Sequence, residues 1–171
     1  MISNPPDWAL TTAYWMHMLA SIAWLGGLTV FSLFLIPLSK RQPNNQEIEK
    51  LLGSFENRMN SIGWFSILVL LVSGMLQMSS NPNYLGLLNL SGRWAYAILI
   101  KHIFFVVMVA INAWLTWGVN PAIRRARLQA ELGQEGSSLD RLQLRHNRLV
   151  QLNLAFAALV LVFTAIARIS I

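Results

Sequence analysis

Apolar residues fall into four long runs along the chain, approximately Trp8 to Pro37, Ile62 to Met78, Trp94 to Trp117 and Leu149 to Ile166. About 20 residues at 1.5 Å of rise each cross the hydrocarbon core of a bilayer, so each run is close to or above the length of a membrane-spanning helix. Polar and turn-forming stretches separate them. "PLSKRQPNN" closes the first, "SSNPNYLGLLNLSGR" links the second to the third, and "RRARLQAELGQEGSSLDRLQLRHNR" lies between the third and fourth. The last has helix-forming ends around a flexible "GQEGSS", which predicts that the flanking helices run past the membrane surface. The pattern predicts an all-α protein, an up-down-up-down bundle of four transmembrane helices over about 8–37, 56–79, 94–124 and 143–168, making a single domain of residues 1–171. No cleavable leader is expected, because the first run is too long and lacks a basic start. No internal repeat, second domain or low-complexity segment is visible.

Composition supports the membrane reading. Of the 171 residues, 55% are hydrophobic, 11% aromatic and only 12% charged, outside the range of ordinary soluble domains. The absence of cysteine excludes disulfides, thiolate metal sites and a cysteine nucleophile. The net charge of +6 does not point to nucleic acid, because its residues lie between apolar runs rather than on a soluble basic face. They report topology instead. Lys40, Arg41, Lys50 and Arg58 follow the first run, and Arg124, Arg125, Arg127, Arg141, Arg145 and Arg148 follow the third, against Arg93 and Arg168 at the other end. The positive-inside rule then predicts that both termini lie outside the cytoplasm. Trp8, Trp15, Tyr84, Trp94 and Tyr96 form an outer aromatic belt, with Trp64, Trp114 and Trp117 nearer the inner face.

With depth assigned, the polar residues inside the runs become informative. His17 and His102 start from the same surface and lie at nearly equal depth, roughly 12 to 14 Å down. In this bundle the first and third helices are diagonal, so inward side chains from them meet across the core. Two level imidazoles can ligate a b-type haem from its two faces, and Ala13, Ala20 and Ser21 would leave a slot for it above Trp24. Lys101 competes with His102 for that direction, since consecutive helical residues point about 100° apart and only one of them is expected to face His17. Lys101 shares a stripe with Phe105, Met108 and Asn112, and His102 with Ala95, Leu99, Val106 and Ala113. Simpler roles exist for each: His17 can hydrogen-bond a neighbouring helix, and Lys101 can snorkel outward.

A rival site is copper. Ser66, Ser73 and Gln77 recur at helical spacing on the second helix, and Met75 and Met78 reach the level of Met16, His17 and Met18. Thioether and imidazole together suit Cu(I), although methionine is also a common core filler. His146, in the basic segment before the fourth helix, is expected to be solvated or to face headgroups. No acidic residue is expected inside a helix. Below the level of His17 the interior offers mainly Asn112, Asn153, Ser66 and Thr29 as polar groups, a poor track for proton-coupled transport.

The first helix with His17 and "WLGG" (Trp24 to Gly27), the third opening with Lys101, and a fourth reading "RLVQLNLAFAALVLVFTAIAR" resemble the membrane domain of the copper-resistance protein D (CopD) family. A more distant likeness is to HemJ-type protoporphyrinogen oxidases. The resemblance implies a multi-pass protein of the bacterial plasma (inner) membrane, linked to copper handling in one branch and to haem b and porphyrin oxidation in the other. It carries over to His17 and Lys101, with no counterpart for His102. The expectation is therefore a protein holding b-type haem in the outer half of the bilayer for electron transfer or redox chemistry. The site residues would come from His17, His102, Lys101 and Trp24. The alternatives are copper transport or homeostasis, with Met16, Met18, Met75 and Met78 joining the histidines, and a small accessory subunit packed through Gly26, Gly27, Ala155, Ala157 and Ala158. Expected partners are the lipid bilayer, a periplasmic electron or copper carrier, a quinone or porphyrin, or a larger membrane complex, and not nucleic acid.

Overall fold

The computed structural model describes residues 5–42, 45–82, 84, 86, 92–132 and 137–169. Among these, the regular structure is entirely helical. Four helices are long and apolar enough to cross a membrane: α1 (Asp7–Arg41), α2 (Gln46–Ser79), α3 (Arg93–Ala130) and α4 (Leu139–Ile169). The centres of the "NPNYLGLLNLSGR" and "GQEGSS" connections lie outside the described residues.

The helices outrun the apolar pattern where polar sequence still favours helix. α2 starts ten residues before the expected position 56 because Asn45 caps it, its side-chain oxygen accepting from the backbone N–H groups of Glu47 (3.0 Å) and Ile48 (3.4 Å). Glu47 and Glu49 in the first turn suit the positive end of the helix dipole. α1 likewise passes Pro37, where the apolar run had been expected to stop. Proline has no N–H for the carbonyl four residues back, which ordinarily ends or kinks a helix. Here the chain widens into a π turn over Phe31–Leu35, with the Ile36 N–H bonded to the Phe31 carbonyl. α3 does the same: a π turn over Leu115–Val119 precedes Asn120 and Pro121.

α1 packs along α2 and α3 along α4, and the two hairpins close with α1 against α4. Antiparallel register is fixed by side chains. Gln77 donates to the Ala13 carbonyl at 3.1 Å, while Trp64 of α2 stacks on Trp117 of α3 with centroids 5.0 Å apart. Three buried clusters run down the bundle: Trp94, Ala97 and Ala167 at the end bearing the termini, Ala20, Trp24, Ile67, Leu70, Met108 and Ala157 in the middle, and Phe31, Ile36, Leu115, Val119 and Val150 at the far end. Large side chains such as Trp8, Trp15, Ile22, Phe65 and Leu68 stay outside. Lipid is as apolar as these groups, so close packing and interhelical polar contacts hold the bundle, each of the latter worth about 0.6 kcal/mol.

Candidate functional site

At the end bearing the termini, half-buried His17 points from α1 toward α2, its Nδ1 2.9 Å from Ser73 Oγ. The Ser73 hydroxyl also contacts the Val69 carbonyl one turn back. A carbonyl only accepts, so the single hydroxyl proton goes to Val69 and Ser73 Oγ must accept from His17 Nδ1–H. The ring is thereby held in the tautomer whose Nε2 carries a free lone pair. Gly74 supplies the space, since a Cβ there would sit 3.3 Å from His17 Cε1.

His102 arrives at the same state by another route. Its Nδ1 lies 2.7 Å from the Ile98 carbonyl of its own helix, so Nδ1 is again the donor and Nε2 again the free lone pair. Metal-ligating histidines characteristically tie the second ring nitrogen to an oxygen in this way. His102 and Lys101 are neighbours on α3, both half-buried and both close enough to His17 for a charge on either to act on it. Below them, Trp24 is almost fully buried and meets Phe105 edge to face at 6.0 Å, closing this end of the core.

The methionines are arranged differently. Met16, Met18 and Met75 stand exposed on the outer faces of their helices, and Met78 packs against the Trp94 cluster. Among the described residues, no three His, Cys, Asp or Glu side chains converge.

The far end departs from expectation. His146, expected to be solvated, is 5% exposed. Its ring packs edge to face on Phe31 at 5.7 Å, and its Nε2 lies 3.5 Å from Glu56 Oε1. Glu56 lies inside α2, contrary to the expectation of helices without acidic residues, in the polar helical stretch six residues before the apolar run opens at Ile62. Between them opens a cavity of about 70 Å³, lined in part by Glu56, Met59, Asn60, Asn112, Thr116 and Asn120. Thr116 Oγ1 lies 2.6 Å from Asn60 Oδ1 and accepts from Trp64 Nε1 at 3.3 Å. Asn112 Nδ2 and Asn120 Oδ1 are buried and find no partner among the described residues. A usable signal was present: His146, Val150, Asn153 and Ala157 repeat at intervals of three and four along α4, and all four are buried.

These features define a four-helix membrane protein with two half-buried histidines in one half of the bundle and a polar cavity in the other. A model of the family described as copper resistance protein D matches residues 53–167, roughly two-thirds of the chain. The chain belongs to the copper resistance protein D family. The match includes Lys101, His102, Glu56 and His146 and begins beyond His17. No curated protein and no solved structure matches the chain.

Proposed function

We propose that this protein handles copper in the membrane, taking the ion as cargo between His17 Nε2 and His102 Nε2. The observation that carries the reading is the common state of the two rings, each with Nδ1 committed to an oxygen and Nε2 left as a lone pair. Imidazole is a good copper donor, and membership of a copper-resistance family supplies the ion. Lys101 moderates the site. A positive charge within Coulombic reach disfavours a bound cation, which suits an ion that must leave again. The positive-inside rule puts this half on the side away from the cytoplasm of a bacterial plasma membrane, toward a periplasmic copper carrier.

A b-type haem is the second reading, favoured by the same two lone pairs on diagonal helices with an ammonium at hand for a propionate. When bound it supplies one-electron transfer, to a periplasmic carrier or a quinone, with His17 and His102 as the residues that would hold its iron. Metal analysis and an absorption spectrum of one gently extracted sample separate the readings. Copper that co-purifies and is lost in His17→Ala supports the first; a Soret band lost in the same variant supports the second. Protein carrying neither after growth in copper overturns both.

A further inference from the structure

The cavity at the far end of the bundle has no role in that reading. It lies about 21 Å along α1 from His17, the rise of the fourteen residues between His17 and Phe31, with Trp24 and Phe105 closing the core between the two places. Its donors come from different helices. Glu56 and Met59 belong to α2 and His146 to α4, and Asn112, Thr116 and Asn120 belong to α3.

The spacing of its two strongest donors is informative. His146 Nε2 and Glu56 Oε1 are 3.5 Å apart, longer than the 2.7 to 3.2 Å of a well-formed N–H···O hydrogen bond. Two donors on one tetrahedral ion with bonds of about 2.0 to 2.2 Å stand about 3.3 to 3.6 Å from each other, the edge of that tetrahedron. A third donor is to hand in the Met59 thioether. Met59 is seated against Gly27, where an added Cβ would overlap its terminal methyl. The cavity also has room for a few waters as well as an ion, and the unpartnered Asn112 Nδ2 and Asn120 Oδ1 face that need.

We infer that Glu56, His146 and Met59 form a second cation site in this half of the bundle, accepting a copper-type ion through one carboxylate oxygen, one imidazole nitrogen and one thioether sulfur, with water against the asparagines. The identity of the ion rests on the copper reading above; the site itself rests on the donor spacing and the cavity. A carboxylate gives it a negative charge that the His17 end lacks, so it holds a monovalent cation without net charge.

The test titrates the full chain, purified in lipid nanodiscs, with Ag(I) as a redox-inert substitute for Cu(I), and counts the equivalents bound. The wild type is expected to take two, and Glu56→Gln, His146→Gln and His17→Ala one each. Met59→Leu keeps the volume and should remove the sulfur scatterer from the silver absorption-edge spectrum of the His17→Ala background. If the wild type binds one equivalent that survives Glu56→Gln and His146→Gln but not His17→Ala, the second site is overturned and the copper reading stands. If the single equivalent survives His17→Ala and is lost in Glu56→Gln, the reading at His17 falls and the second site stands. No binding overturns both. Because Glu56→Gln is isosteric, its unchanged helicity and elution would show that a lost equivalent is not lost folding.

Discussion

The two hairpins of the chain share a backbone device and differ in the chemistry mounted on it. The π turns of α1 and α3 begin 84 residues apart, at Phe31 and Leu115, and each is followed by a single residue and a proline, Pro37 and Pro121. The same offset relates buried Ala13 to Ala97, Trp24 to Met108 and Phe31 to Leu115. It also relates His17 to Lys101. Two similar scaffolds thus deliver an imidazole from one side and an ammonium from the other, and His102 is one step off that register. The lesson concerns asymmetry. Under the copper reading proposed above, equivalent histidines would bind the ion tightly, whereas a lysine at the position equivalent to His17, with His102 alongside, would hold a cation loosely.

The largest effect expected from breaking that asymmetry is His17→Ala, which removes the imidazole that α3 cannot replace from the equivalent position; copper at that end should fall below detection in metal analysis while the protein still inserts, because helix length drives insertion. Lys101→Met tests the opposing side. If copper is the cargo, removing the nearby charge should tighten binding several-fold in a chelator competition; if haem is bound, loss of a propionate partner should weaken retention instead, so the sign of the change decides between them. Ser73→Ala releases His17 Nδ1 from its acceptor and should weaken metal binding by about 10- to 100-fold, as loss of an orienting partner does at other metal-bound histidines.

The smallest effects come from one substitution made at two places on α2. At Gly63 a new methyl would lie 3.5 Å from Trp24 Nε1, an ordinary contact, so Gly63→Ala should stabilise the bundle by about 0.4 to 1 kcal/mol through the unfolded state, read as a modest rise in melting temperature. At Gly74 the methyl would lie 3.3 Å from His17 Cε1. Gly74→Ala should therefore shift the ring and lower copper affinity with little change in melting temperature. An equal loss of stability at both glycines would show that Gly74 serves packing rather than the orientation of His17.

Some of this was legible from single residues and some was not. The level of His17 followed from counting along one helix, and the inward stripe of Ser73 and Gln77 followed from its period. Both residues do reach α1, at His17 and at the Ala13 carbonyl. The four methionines near one level were legible as depth but not as direction, and Met16 and Met18, one residue either side of His17, turn outward as a helix of 3.6 residues per turn requires. His146 was misjudged for a related reason. Its arginine-rich neighbourhood describes the exposed faces of α4, while its own face is the one that meets Phe31 and Glu56.

The sequence alone determined four spans, their alternation, the distribution of lysine and arginine between the two ends and the depth of each polar side chain, because these depend on local hydrophobicity and on distance along a single helix. Tertiary structure decided which nitrogen of His17 is free, that His17 turns to Ser73 of α2, and that Glu56 and His146 share a cavity. Those depend on how faces of different helices meet. A π turn adds a residue to one turn and rotates everything beyond it, so that Phe31, Ser32 and Ile36 are all buried across the turn in α1. A periodic reading carried through Pro37 or Pro121 loses that face, and only the packed neighbours restore it.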